Sequence, residues 1–302
     1  MLSGLHSCNL CPRSCKVDRL AGAVGVCTQN ATVRLARAAL HMWEEPPISG
    51  ESGSGTVFFS GCALHCVYCQ NADISNGKIG REVSIERLAE IFLEQQGRGA
   101  NNINLVTPTH FAPQIVEAIK IARTKGLELP IVCNTSGYEG AEALAVFDGY
   151  VDIYLVDFKY ASAELAARYS KAADYPRVAS AALDEMYRQV GPYWEDDQTG
   201  LAKRGVVVRH LLLPDCLDDS FAVMRVLARK PYINDIIVSL MSQYTPMPGI
   251  ADSYPELSGT VDPDDYDCLI DYALDLGIEN SFCQEGSAAS ESFIPAFNYE
   301  GV

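Results

Sequence analysis

The segment Thr56-Val-Phe-Phe-Ser-Gly-Cys62-Ala-Leu-His-Cys66-Val-Tyr-Cys69 sets three thiols at C-x3-C-x2-C spacing directly after an apolar, strand-like run. Three thiolates in one tight loop suit a four-iron cube with one iron left without a protein ligand. A small molecule can chelate that iron and take an electron from it. The same thiols could hold zinc with a fourth ligand such as His65, or form half of a ferredoxin-type site, although zinc sites more often pair C-x2-C knuckles.

A second set, Cys8, Cys11, Cys15 and Cys27, reads C-x2-C-x3-C-x11-C in a segment punctuated by Pro12, Gly22 and Gly25. With little apolar content of its own, that segment is expected to be ordered by a bound metal, whose binding free energy then becomes folding free energy. Four thiols can close a site, which suits a structural or electron-relay role. Zinc, a second iron-sulfur cluster and no metal at all remain open. The other cysteines, Cys133, Cys216, Cys268 and Cys283, stand alone and read as small buried hydrophobes. Of these, Cys133, beside Asn134 at a strand end, is the one expected to face a cavity.

The elements that must position these groups follow an α/β pattern. Short β-branched runs near Thr56 to Ser60, Ile103 to Val106, Ile131 to Cys133, Ile153 to Val156, Val206 to Leu213 and Ile236 to Leu240 alternate with helical periodicity. Helices are predicted from Ser84 (as cap) to Gln95, and over Pro113 to Thr124, Glu142 to Phe147, Leu165 to Tyr169, Pro176 to Gln189, Ser220 to Leu227 and Tyr266 to Leu276. Six such strands suit a partial barrel. Two long interruptions, Gly191 to Gly200 and Ser242 to Leu257, stand out. The second follows the carboxyl end of a strand and is a candidate lid or substrate wall.

At 302 residues the chain can bury one sizeable core, and its net charge of -16 argues against a nucleic-acid or anionic-membrane surface. Its longest apolar runs are too short to span a bilayer and its start lacks the order of a secretory signal, so a cytoplasmic, reducing location is expected. Eleven cysteines in a chain of this length suit metal binding better than a secreted disulfide scaffold. No P-loop or dinucleotide-type glycine fingerprint is present.

Beyond the cysteine loop, the N-terminal Cys8-to-Cys15 segment, His41-Met-Trp-Glu-Glu-Pro-Pro-Ile-Ser-Gly50, Thr107-Pro-Thr-His-Phe, Asn134-Thr-Ser-Gly-Tyr138, Asp157-Phe-Lys159 and Ser242-Gln-Tyr-Thr-Pro246 extend the pattern. Together they resemble the radical S-adenosylmethionine (radical SAM) proteins grouped as pyruvate formate-lyase activating enzyme-like, the PflX group. The resemblance implies a partial (β/α)6 barrel over residues 51–302 with a C-terminal extension, and a small Cys-rich appendage over residues 1–50. It also implies a [4Fe-4S] cluster on Cys62, Cys66 and Cys69, S-adenosylmethionine as cosubstrate, and a reductant such as flavodoxin or ferredoxin. The partner it suggests is a glycyl radical enzyme, which would make the chain an oxidoreductase of the activase type.

Carried over by position, Tyr68 matches the residue bordering adenine. Asn134, Thr135 and Ser136 stand where similar proteins bind ribose or carboxylate, and ordinary turn roles compete. The family's Gly-Gly-Glu turn is replaced here by Val106-Thr107-Pro108-Thr109-His110. Thr107 and Thr109 can offer oxygens for the amino group, His110 is a further candidate, and no carboxylate is present in the turn. Asp157 and Lys159 resemble the Asp-x-Lys of activases, with both on one side of a strand; an internal salt bridge would satisfy them equally. Arg209 and His210 point to opposite faces. Arg209 could anchor a carboxylate, and His210 reads as a core histidine. Trp43 with Glu44 and Glu45 is expected to pack the appendage on the barrel. The rival functions are a radical SAM enzyme for a small molecule and a non-catalytic iron-sulfur electron carrier.

Overall fold

The computed structural model describes residues 2–283 and 295–302. Its strands are β1 (Val33–His41), β2 (Ser54–Phe59), β3 (Arg81–Val83), β4 (Ile103–Val106), β5 (Ile131–Thr135), β6 (Ile153–Asp157), β7 (Trp194–Glu195), β8 (Ala202–Leu211), β9 (Ile237–Met241) and β10 (Ser281–Cys283). The single-turn helices α1 (Pro46–Ser49) and α2 (Ala72–Ser75) precede the long ones. These are α3 (Ile85–Gly97), α4 (Ala112–Thr124), α5 (Ala141–Phe147), α6 (Ala163–Ser170), α7 (Tyr175–Val190), α8 (Leu217–Ala228) and α9 (Pro263–Asp275).

The sheet runs β10-β9-β8-β6-β5-β4-β2-β1-β3, with β7 paired to β8. Neighbours from β2 to β10 along this order are parallel, while β1 runs antiparallel to both β2 and β3. This is an α/β fold whose mostly parallel sheet contains the six strands expected from the sequence. All residues of β2, β4 and β5 are buried, as a parallel sheet covered on both faces requires. That double burial explains why these strands read as continuous apolar runs. The strands missed by the sequence reading are β1 inside the Cys-rich segment and the short edge pieces β3, β7 and β10. Pieces of two or three residues carry no readable alternation.

The helices fall where their periodicity placed them. Ser84 caps α3, its Oγ accepting from the Arg87 amide at 3.1 Å. The loop from Gly191 contributes β7 as a short antiparallel partner of β8. Among the described residues, no helix is long and apolar enough to cross a membrane.

Candidate active site

The loop after β2 carries the three thiols around a tight path. Gly61 sits at φ +88°, where a Cβ would lie 2.3 Å from the Cys27 carbonyl oxygen, and His65 adopts φ +53°. A left-handed residue between the first two cysteines turns the chain back on itself. Donors face the sulfurs: the Leu64 amide reaches Cys62 Sγ at 3.3 Å, and Ser170 Oγ donates to Cys66 Sγ at 3.1 Å. Burial pushes the Cys62 thiol up to about 12, with Cys66 adding to the effect, and burial also raises Cys69. Thiols so reluctant to ionise become thiolates only when a metal supplies the compensating charge and displaces the protons. With sulfurs that accept hydrogen bonds and line one cavity, the donor set fits an iron-sulfur cluster. Among the described residues no three His, Cys, Asp or Glu side chains converge on a single metal ion. His65 does not join the thiols, because its ring nitrogens contact the Val26 carbonyl at 2.7 Å and Asn76 Oδ1 at 3.2 Å.

Cys62, Cys66 and Cys69 line a cavity of about 320 Å³. It lies at the carboxyl ends of the parallel strands, where open α/β sheets bind their ligands. Tyr68, Thr107, Asn134, Thr135 and Ser136 line it too, as do Asp157, Lys159 and Arg209. Thr109 does not reach it. It is buried, and its side chain hydrogen-bonds Glu139, which also receives the Thr135 hydroxyl. Glu139 supplies a carboxylate beside the turn that lacked one, an assignment the sequence reading missed because the residue lies beyond the next strand. Thr107 holds φ +55°, a left-handed conformation unusual for a β-branched residue, with its amide donating to the Asn134 carbonyl at 2.8 Å.

Register explains the charged wall. Asp157 pairs directly with Arg209 across β6 and β8. Arg209 Nε lies 2.9 Å from Asp157 Oδ1, its Nη2 2.7 Å from Asn134 Oδ1 and its Nη1 3.4 Å from Glu44 Oε2. Lys159 Nζ closes on the other Asp157 oxygen at 2.7 Å. Burial works against the Asp157 charge, but Arg209 and Lys159 outweigh it, so the carboxyl titrates below its usual range. Burial raises Glu44 and takes Glu45 to about 7, opposed in both by Arg209. Asn104 Nδ2 donates to Glu44 Oε1 at 2.9 Å. Arg209 is therefore engaged within the wall.

Trp43, expected to pack the appendage on the barrel, is 57% exposed and lines the cavity with Glu44. Cys133 is buried in the main core, away from the cavity, because its strand position points it to the other face. His110 Nε2 contacts the Ser60 carbonyl at 2.8 Å and is likewise buried. His210 is a satisfied core histidine, contacting the Phe158 carbonyl at 2.7 Å and Ser220 Oγ at 2.9 Å. Gln243 and Thr245, from the loop after β9, complete one wall of the cavity.

A hydrogen-bonded chain behind the cysteines was not visible in the sequence. Tyr68 OH lies 2.7 Å from Tyr160 OH, which lies 2.8 Å from Ser170 Oγ. A serine hydroxyl has one proton; with Ser170 donating to Cys66, Tyr160 must donate to Ser170 and Tyr68 to Tyr160.

Residues 56–185 match the family model of the radical SAM superfamily, so the chain carries a radical SAM domain. Such a domain implies an enzyme that uses a [4Fe-4S] cluster and S-adenosylmethionine. Among curated proteins, an uncharacterized protein of Methanocaldococcus jannaschii is 27% identical over 261 residues, covering 83% of this chain and 70% of the relative. The pyruvate formate-lyase-activating enzyme of Clostridium pasteurianum is 26% identical over 121 residues, which is 37% of this chain and 48% of that enzyme. Solved structures of Streptococcus suis SuiB align over 78% of this chain. The one bound to precursor peptide SuiA gives a TM-score of 0.49 at 12% identity and the one bound to S-adenosylmethionine 0.47 at 11%. The chain spans about half of SuiB, covering 51% and 48% of those chains.

Proposed function

We propose that this chain abstracts hydrogen from a glycine of a partner protein, acting as an activase of a glycyl radical enzyme. A [4Fe-4S] cluster on Cys62, Cys66 and Cys69 would supply one electron to the sulfonium of S-adenosylmethionine, yielding methionine and a 5'-deoxyadenosyl radical that takes the hydrogen. The observation that carries the radical reading is that these thiols share one cavity with Asp157, Lys159 and Asn134. Tyr68 and the Asn134-to-Ser136 strand end would hold the adenosine and amino-acid parts of the cosubstrate. The Asp157–Lys159 pair would orient polar groups beside the thiols, and Arg209 would act by holding Asp157 and Glu44 in place. Trp43 and the loop carrying Gln243 and Thr245 would border the substrate and keep water from the reacting centre.

The activase reading rests on the partial similarity to the clostridial activating enzyme, and it would call for a reductant of flavodoxin or ferredoxin type and a reducing, cytoplasmic setting. The test is 5'-deoxyadenosine formation by anaerobically reconstituted, dithionite-reduced protein against the Cys62→Ser, Cys66→Ser, Cys69→Ser variant. Product in the wild type alone supports the radical reading. A glycyl radical on a co-purified partner, seen by electron paramagnetic resonance, supports the activase. Turnover with a small molecule and no such partner would move the assignment to a small-molecule enzyme. An intact, reducible cluster that yields no product with any substrate would favour an electron carrier.

A further inference from the structure

The segment between Ser7 and Val33 contains no helix or strand, yet it touches the cysteine loop of the cavity through Arg13, Val26 and Cys27. Left-handed residues Ser14, Lys16 and Thr28 fold it into tight turns that bring its thiols together. The Cys8 amide donates to the Val17 carbonyl at 3.1 Å, the Lys16 amide to the Cys8 carbonyl at 3.0 Å, and the Ser14 amide to the Cys11 carbonyl at 3.0 Å. The Val26 amide points at Cys15 Sγ at 3.3 Å, the amide-to-sulfur contact that supports a metal-bound thiolate. Cys11 lies in the field of Cys15 and Cys27, and Cys27 in that of Cys8 and Cys15. Cys27 thus neighbours the other three sulfurs, and no three of the four close on one ion.

A buried cation completes the arrangement. Arg19 is 1% exposed, and its Nη1 lies 3.7 Å from Cys8 Sγ. Its other hydrogen bonds go to the carbonyls of Asn30 and His110, and no salt bridge among the described residues involves it. Burying a guanidinium against neutral acceptors alone is costly. A metal held by four thiolates carries net negative charge, and that charge would balance Arg19.

We propose that Cys8, Cys11, Cys15 and Cys27 form a second, four-thiolate metal centre that braces the loop carrying Cys62, Cys66 and Cys69. Its occupant is a thiophilic metal centre; because no three of the thiols converge on one ion, an iron-sulfur cluster fits the spacing better than one zinc ion, and the two are separated by the test. The brace runs through two side chains. Arg13, between Cys11 and Cys15, donates from Nε to the Ala63 carbonyl at 2.9 Å and from Nη2 to the Ser170 carbonyl at 3.0 Å, with its guanidinium 5.1 Å from the Tyr138 ring. Ala63 follows Cys62, and Ser170 is the donor to Cys66. From the other side, His65 reaches the Val26 carbonyl, between Cys15 and Cys27. The metal site rests on residues 8–27 alone; the bracing role rests on the reading of the Cys62 loop given above.

The test uses the full chain bearing Cys62→Ser, Cys66→Ser and Cys69→Ser, loaded anaerobically with zinc in one arm and with iron and sulfide in the other. About one zinc, or about four irons with matching sulfide, should remain per folded chain after desalting. Adding Cys11→Ser and Cys15→Ser should abolish that binding. A folded triple variant that holds no metal above trace in either arm overturns the site, and this readout needs no second variant to fold. In the otherwise unaltered chain, Arg13→Gln should keep the second metal but lower iron retention or the 5'-deoxyadenosine rate about 10-fold, with a changed spectrum of the reduced cluster and recovery in Arg13→Lys. Unchanged iron retention, rate and spectrum in Arg13→Gln overturn the brace. If the wild type never cleaves S-adenosylmethionine while the triple variant still binds metal, the functional reading fails and the second centre stands.

Discussion

Asp157 holds two cations at once, Arg209 Nε at 2.9 Å and Lys159 Nζ at 2.7 Å. Asp157→Asn keeps the shape and removes the charge, leaving both cations against an uncharged amide. We expect a stability loss on the order of 3 kcal/mol in urea denaturation, together with a fall in 5'-deoxyadenosine formation. Equal stability would show that Glu44 and Glu45 suffice as counter-ions. His210 makes a different prediction. Burial lowers its pKa to about 4, whereas an unfolded histidine titrates near 6.5. Its contribution to stability is therefore complete above about pH 6.5 and is lost as pH falls toward 4, a difference on the order of 3 kcal/mol. His210→Gln should flatten the stability profile over that window, and parallel profiles for variant and wild type would sink the assignment. Among single residues, the cysteines were readable because ligand type and spacing are local. Glu44 and Glu139 were not readable, because only folding brings them beside Arg209 and Thr109.

At the scale of elements, the loop leaving β2 depends on one glycine. Gly61→Ala would place a methyl carbon against the Cys27 carbonyl in a backbone conformation that disfavours side chains. The loop should shift, and the variant should retain less iron after reconstitution than the wild type while its circular dichroism stays close to native. Ser84 offers a control remote from the cavity. Ser84→Ala removes the α3 cap and should cost about 1 kcal/mol in thermal or urea unfolding without changing iron content. The strand set was legible in the sequence to the extent that double burial produces long apolar runs. β1 escaped notice because it begins a few residues after the last N-terminal cysteine, and its arginines at 34 and 37 interrupt the run.

For the whole molecule, the N-terminal segment is part of the sheet rather than a mere attachment. β1 lies between β2 and β3, and it buries Leu35 and Ala38 in the core. The chain end returns to it as well: the Ala38 amide donates to the Glu300 carbonyl at 2.8 Å, and Arg37 Nη2 pairs with Glu300 at 2.8 Å. A chain shortened to residues 51–302 would expose the β2 edge and the apolar face beneath β1. It should aggregate or lose cooperative unfolding, as size-exclusion chromatography and urea titration would reveal. A monomer that unfolds cooperatively would show instead that residues 1–50 are separable.

The sequence by itself determined the long helices, the six central parallel strands and the ligand pattern of the cysteine loop, because helical period, strand burial and ligand spacing act over a few residues. Only the tertiary structure decided which polar groups meet. The register of β6 against β8 set Asp157 beside Arg209, across 52 residues of chain. The loop after β1 brought Glu44 to the same guanidinium across 165 residues. Such partners follow from how strands align and loops return, and no local pattern encodes that alignment.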